Sequence, residues 1–213
     1  GVKNKQFSFF TQLNHTHTTG ISEAKGINFE NDIFSRININ QKVGISVLKD
    51  LLFDLYANYD KIKNTFDNPY GGINYSSDDV YNNSVSEQFR IGINPKYTYN
   101  KGELKINAGY LGLDRNINQY NSWTSSVDLY KYFSKNVSID VVNKYSFSEK
   151  LFALVGLQYN YFSMAQYDAY TNISFQNAKF NIADPYFTVV YNSDFGFNLN
   201  SGVRLNTHSI YGN

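Results

Sequence analysis

The sequence predicts an all-β fold, an incomplete transmembrane antiparallel up-and-down β-barrel of about nine strands, and three observations lead there. Side chains alternate between apolar and polar along most of the chain, which is the two-residue period of a strand. Short turns and long polar connections follow one another in strict alternation, as in a membrane barrel with one turn side and one loop side. The composition pairs 19 Tyr and 17 Phe with 29 Asn and only 3 Pro. An ordinary globular core would use more Leu, Val and Ala and fewer amides, whereas strands facing two different solvents suit this mixture.

The elements follow in order. Residues 5–17 form a weaker copy of the pattern. In 33–45, Ile33, Ile37, Ile39, Val43 and Ile45 oppose Arg36, Asn38, Asn40 and Lys42. In 51–60, Leu51, Phe53, Leu55, Ala57 and Tyr59 oppose Asp54, Asn58 and Asp60. Residues 88–99 set Phe89, Ile91, Ile93, Tyr97 and Tyr99 against Gln88, Arg90, Asn94 and Lys96. Leu104, Ile106, Ala108 and Tyr110 then oppose Glu103, Lys105 and Asn107. Weaker copies at 137–147 and 183–191 flank 151–161, where Leu151, Ala153, Val155, Leu157, Tyr159 and Tyr161 oppose Gln158 and Asn160. The last strand, 195–207, puts Phe197, Leu199, Val203 and Leu205 opposite Asn198, Asn200, Arg204 and Asn206.

Turns are expected near 46–50 and at 100–102, 148–150 and 192–194, each rich in turn-forming residues. Longer loops are expected at 19–31, 62–84, 112–135 and 163–181, with Val127, Leu129 and Tyr130 marking an extra strand or a structured loop. Tyr97, Tyr99, Tyr159 and Tyr161 are expected at strand ends, at headgroup depth. An odd number of strands does not close a barrel of the usual kind. The chain, 1–213, therefore reads as a single segment of a larger wall whose beginning has been removed by processing or excision.

Several function classes are disfavoured. The absence of cysteine removes disulfide scaffolds, thiolate metal sites and cysteine nucleophiles. A net charge of +1 with no Lys/Arg block offers nothing to a nucleic-acid backbone. No apolar run is long enough for a helical span, which leaves strands as the means of crossing a membrane.

The segment 195–213, FGFNLNSGVRLNTHSIYGN, resembles a barrel strand and loop entry of the TonB-dependent outer-membrane receptors, carried by Gly196, Gly202, Arg204, His208, Ser209, Tyr211 and Gly212. Ser148-Glu149-Lys150 followed by LFALVGLQYNY is similar to the family's preceding turn and strand, so the resemblance is specific over about 137–213 and diffuse before it. It implies a bacterial outer-membrane location and a parent protein whose barrel of about 22 strands is filled by an N-terminal plug domain. It also implies import of a scarce nutrient such as a siderophore, vitamin B12 or a glycan, driven through the TonB system. Neither the plug nor the TonB-contacting segment is read in this sequence.

Candidate sites are few. His15 and His17 share a strand face at a spacing two metal ligands could use, but no third ligand is fixed nearby, and they read as polar strand-end residues. Asp67, Asn68, Asp78 and Asp79 lie in one loop without the order of a calcium loop. Gly71, Gly72 and Gly102 read as turn glycines and not as phosphate cradles, since none opens a helix after a strand. No nucleophile elbow links Ser, His and Asp, so no catalytic, metal or cofactor residue is assigned and no enzyme is expected. Lumen-facing Arg36, Arg90 and Arg204 either attract a plug or anionic solute, or, the preferred reading, bond to wall neighbours such as Asp54. Loop aromatics Tyr70, Tyr75, Tyr81, Phe175 and Phe180 are expected to stack on a bulky ligand. The partners expected are membrane lipid, the plug, the TonB system and a nutrient, with no nucleic acid. A small porin-like or adhesin-like barrel and a soluble β-sandwich binding module stay open as alternatives.

Overall fold

The computed structural model describes residues 1–21, 31–67, 81–121, 123–169 and 173–212, and for 173–177 the backbone alone. Eleven strands form one sheet: β1 (Val2–Lys3), β2 (Phe7–Thr18), β3 (Phe34–Leu48), β4 (Leu51–Thr65), β5 (Asn83–Tyr99), β6 (Gly102–Asn121), β7 (Ser126–Ser146), β8 (Leu151–Asp168), β9 (Ile173–Asn192), β10 (Asn198–Arg204) and β11 (Thr207–His208). Each of β1 to β9 pairs antiparallel with the next in chain order, and β11 continues along β9 beyond the end of β10. The nine expected strands are the nine long ones, and β1 and β11 are short additions at the two edges. Among the described residues the first and last strands are not bonded to each other, so the sheet is open.

Two of the expected loops are wrong, and a third is shortened at its ends. The segment 112–135 is mostly strand, because β6 runs to Asn121 and β7 starts at Ser126, with Val127, Leu129 and Tyr130 paired in β7. Strands β8 and β9 likewise take most of 163–181, and β4 and β5 take the ends of 62–84. The strict alternation of short and long connections is therefore lost. Residues 49–50, 100–101, 147–150 and 193–197 connect strands at one rim, the turn rim; at the other, the loop rim, 122–125 and 169–172 are as short as these, while 19–33 and 66–82 are long.

Direct partners across a sheet share a face, so the register sorts every strand residue. One face carries Phe9, Leu13, Ile39, Val43, Leu55, Tyr59, Phe89, Ile91, Ile93, Ala108, Tyr110, Val137, Ile139, Val155, Leu157, Tyr159, Ala183 and Phe187. The opposite face carries Asn38, Asn40, Asn58, Asp60, Arg90, Asp140, Gln158, Asp184 and Arg204. The expected alternation is thus reproduced strand by strand.

The apolar stretch is limited in height. It runs from Ile45 to Ile37 in β3, Leu51 to Tyr59 in β4, Tyr97 to Phe89 in β5, Tyr145 to Val137 in β7 and Tyr191 to Ala183 in β9, nine residues each time. Beyond it, towards the loop rim, the same face turns polar: Ser35, Lys61, Glu87, Lys135 and Asn181. Within it Thr11 faces Gln41, and Asn143 accepts a hydrogen bond from the Tyr99 hydroxyl at 2.7 Å. Tyr97, Tyr145 and Tyr191 mark its lower border. Tyr59, Tyr110, Tyr159 and Tyr161 mark its upper border, so the last two lie inside β8 and not at its end as expected.

One line of direct partners shows how the strands lean: Phe9, Val43, Leu55, Ile93, Ala108, Ile139, Tyr159, Ala183. It starts two residues from the turn-rim end of β2 and finishes nine residues from that of β9, a drift of seven residues in seven steps. At roughly 3.3 Å per residue and about 4.8 Å between strands, one residue per strand tilts the strands by about 35°. A nine-residue stretch at that tilt stands about 22 Å tall. The apolar stretch does not climb with the hydrogen-bonded line. It keeps one level: Val43 lies near its bottom and Ala183 at its top.

The sheet has no hydrophobic core. Among the described residues only Ala153, 7% exposed, is a buried hydrophobe, while Leu157 at the middle of β8 is 45% exposed. Polar Asp60 and Asp184, at 8% and 6%, are more buried although no second layer covers them. Side chains on the polar face also reach across two strands, as Arg204 of β10 does to Gln158 of β8. Crowding on one face and spreading on the other is what a sheet curled towards its polar face produces. Leu199 and Val203, both half exposed or more, accordingly lie on the convex side, while Phe197 precedes the strand.

Glycines on the concave side make room for tyrosine rings. The Tyr56 ring lies over Gly92 and its hydroxyl approaches Gly109, and Tyr186 lies over Gly156 in the same manner. A Cβ at Gly92 would meet the ring directly. Gly92→Val and Tyr56→Ala are each expected to destabilise the sheet by about 1 to 3 kcal/mol. In the double variant the clash has gone, so unfolding of the intact protein should show a loss clearly smaller than the two single losses combined; additive losses would mean that the ring does not occupy this hollow.

Candidate functional site: the polar concave wall

The concave face is built from residues one step out of phase with the apolar ones, so its chemistry follows from the same period. Towards the first edge, the Arg36 guanidinium forks onto Asp60, with Nε donating to Oδ1 at 2.9 Å and Nη2 to Oδ2 at 2.5 Å. Asp54, the expected partner, stands six residues further down β4, which puts it out of reach; the diagonal neighbour Asp60 takes the fork instead. Beside them runs an amide chain. Asn58 donates to Asn40 at 2.6 Å, and both Asn40 and Asn14 donate to Asn38. Arg90 lies against the Gln88 amide, whose oxygen accepts from Nε and Nη2 at 3.2 and 2.8 Å in the orientation that satisfies both groups. Arg36, Asn38, Asn58, Gln88 and Arg90 line a recess of about 560 Å³.

Towards the other edge, Arg204 donates to Asp184 at 2.6 Å and to Gln158 at 2.5 Å. Its guanidinium stands 6.0 Å over the Tyr186 ring, whose hydroxyl donates to Asp140 at 3.3 Å. Arg204, Gln158, Tyr186 and Asp140 line, with Gly202 and Thr188, a second recess of about 400 Å³. A Cβ at Gly202 would come within 2.7 Å of Thr188 Oγ1 and 2.8 Å of the Phe187 carbonyl, so close strand contact requires the glycine. Near the turn rim, Glu103 sits between Lys96 and Lys105 at 2.5 and 2.6 Å.

Arg36 and Arg204 are thus neutralised by carboxylates that are themselves nearly buried. They brace the wall, as the preferred sequence reading had it. Arg90 has an amide and, among the described residues, no carboxylate in ion-pair reach, which leaves its charge facing the concave side.

The end of the chain folds as a tight turn where an open loop was expected. His208 and Gly212 exchange backbone hydrogen bonds at 2.9 and 2.8 Å, with Gly212 at φ 78°, where a side chain would be strained. Ser209 is tied to Asn181 through its backbone N–H and its hydroxyl. The His208 ring stacks on Phe180 at 5.0 Å and lies 4.8 Å from Tyr211; Phe180 in turn stacks on Phe162 at 4.8 Å. Phe180, expected as a loop aromatic, is a strand residue inside this stack. Phe162 is a member that sequence reasoning missed. Its partner Phe180 is directly opposite, a signal that exists only once the register is known.

Tyr81 is half exposed and lies against Tyr120 at 5.9 Å. His15 and His17 stand on the apolar-face side of β2, above Leu13 and opposite Ile37 and Ser35. Among the described residues no three His, Asp or Glu come together as a metal site. Of the acidic loop only Asp67 is described. Asn68, Asp78, Asp79, Tyr70, Tyr75, Gly71 and Gly72, and the Phe175 side chain, lie outside the described residues, and Gly102 opens β6 after the turn.

Removing one half of a braced pair should show what the brace contributes. Arg204→Ala leaves the Asp184 carboxylate nearly buried without its cation and is expected to cost about 1 to 3 kcal/mol, with faster amide exchange in β10. Asp184→Asn in the Arg204→Ala background removes the stranded charge and should recover part of that loss in the same unfolding measurement.

Compared with known proteins, the chain matches no family model, and no curated protein is detectably similar to it.

Proposed function

We propose that this chain forms part of the wall of a bacterial outer-membrane barrel, with lipid against its convex apolar face and an aqueous lumen on its concave face. The carrying observation is the level apolar band: about 22 Å of apolar and aromatic side chains that holds its height while the hydrogen-bonded lines climb one residue per strand. Water gives no reason for such a band, since nothing among the described residues covers it. A bilayer does, because its hydrocarbon calls for an outward apolar band of about 25 Å with aromatic borders on strands tilted about 35 to 45°. No helix among the described residues is long and apolar enough to cross a membrane, so the strands are the crossing elements in this reading.

Within that class the reading adopted is a TonB-dependent receptor importing a scarce nutrient, working with a plug domain and the TonB system in the intact protein. It rests on the resemblance of residues 195–213, and the roles of Gly202, Arg204, Ser209 and Gly212 in bracing this strand and its turn are compatible with it. Among the described residues, the separate edges of the sheet favour an open wall over a closed small porin-like barrel, and the single sheet favours it over a soluble sandwich. Tyr81 and the Phe162, Phe180, His208 stack lie towards the loop rim, where an arriving ligand would be met. Uptake of the nutrient by cells carrying the intact protein should stop when the TonB system is deleted. Uptake that persists would favour the porin reading.

The wall reading makes its own demand at nearby positions. Leu157→Arg puts a guanidinium on the convex face near mid-band and should cost about 2 to 4 kcal/mol in lipid vesicles. Asn160→Arg, three steps along and on the lumen side, should cost much less. Equal losses on reversible unfolding of the intact protein would rule the assignment of faces out.

A further inference from the structure

The polar strip above the band is not uniform. On the convex face, just beyond the apolar stretch towards the loop rim, Lys135 of β7 and Lys179 of β9 stand on either side of Ser163 of β8, all three in one line of direct partners. Lys131 stands on the same face four residues further up β7, and Ala165 joins Ser163 between the two lysine-bearing strands. Two small residues therefore form a floor, with lysines around it. Lys135 and Lys179 are exposed, and among the described residues none of the three has a carboxylate in ion-pair reach. The acidic residues on this part of the face are otherwise engaged: Glu87 with Lys61, and Asp114 with the Asn116 amide at 3.0 Å.

We propose that Lys131, Lys135 and Lys179 form a docking surface for the phosphate-bearing headgroups of anionic lipid in the leaflet at the loop rim. This rests on the membrane reading, in which the strip directly above the band lies at headgroup depth. Lysine suits the position, because its methylene stem lies along apolar surface while the ammonium reaches the headgroup region. Lys135 and Lys179 are two strand spacings apart, about 10 Å, so flexible side chains can close on one phosphate group over Ser163. Charge complementarity favours an anionic headgroup, as a zwitterionic one brings its own cation to the site. Each lysine near an anionic surface contributes enough for a several-fold change in association.

The test uses the intact protein in phosphatidylcholine vesicles holding a trace of spin-labelled lipid, either phosphatidylcholine or phosphatidic acid. Phosphatidic acid should be held at the protein surface at least about threefold more strongly than phosphatidylcholine, less so at high salt. The triple variant Lys131→Gln, Lys135→Gln, Lys179→Gln should bring that ratio towards one, while the corresponding triple change to Arg keeps it. A ratio of one in the native protein, or an unchanged ratio in the Gln variant, overturns the proposal. Equal restriction of both lipids leaves the membrane reading standing and removes only the lysine surface; no restricted lipid of either kind removes both.

Discussion

The hydrogen-bonded ladder between each strand and the next ties every side chain to a face, because direct partners point the same way and successive residues point opposite ways. From β2 to β10 this lock holds with few interruptions: the register shifts near Leu48 and between Gln166 and Asp168, and at Pro95 the pairing to β6 lapses without a change of register. A slip of one residue anywhere would carry Leu157 to the Arg204 side and Gln158 to the Phe187 side. The tilt, the level band and the braced concave wall all depend on that register. So does the lysine floor around Ser163, whose members come from three strands.

With the backbone satisfied inside the sheet, the balance of the rest is unusual. Folding here leaves most apolar side chains part-exposed, and Ala153 alone is a fully buried hydrophobe among the described residues. The polar face is where contacts within the protein accumulate: Arg36 on Asp60, Arg204 on Asp184 and Gln158, Tyr56 over Gly92. Such contacts fix geometry more than they drive collapse, because ion pairs with one half-exposed partner contribute modestly in water. In the proposed membrane setting the apolar side chains on the convex face gain further stabilisation from the hydrocarbon around them.

The fold was legible where the two faces meet different surroundings. Ile37, Ile39, Val43 and Ile45 against Arg36, Asn38, Asn40 and Lys42 can be sorted by eye, and the register bears the sorting out. Above the band apolar and polar residues mix on both faces, with Val127, Leu129 and Phe133 on one and Leu113 and Ile117 on the other, so 112–121 and 126–135 lose the alternation that marks a strand and read as loop, although they form the longest hairpin in the sheet. The wall contacts were legible in kind but not in detail. That Arg36 would bond a wall carboxylate followed from its position, whereas choosing Asp60 over Asp54 needs the register, and so does recognising Phe162 as the partner of Phe180. Positions 68–80 and the side chains of 173–177, where several ligand-contacting aromatics were expected, fall outside the described residues.

The central claim is that the apolar band follows a bilayer plane and not the hydrogen-bonded rows. Since the chain has no cysteine, single labels can be placed on the convex face at Val43, Leu55, Leu157, Phe187 and Ala183 in the intact protein. Their depth in lipid vesicles is then read by quenchers held at known positions along the acyl chains. The account predicts that Leu55, Leu157 and Phe187 lie together near the bilayer centre, with Val43 displaced towards the turn-rim interface and Ala183 towards the loop-rim one. Equal depths for Val43, Leu55 and Ala183, the members of one hydrogen-bonded line, or quenching of all five by a water-soluble agent, would contradict it.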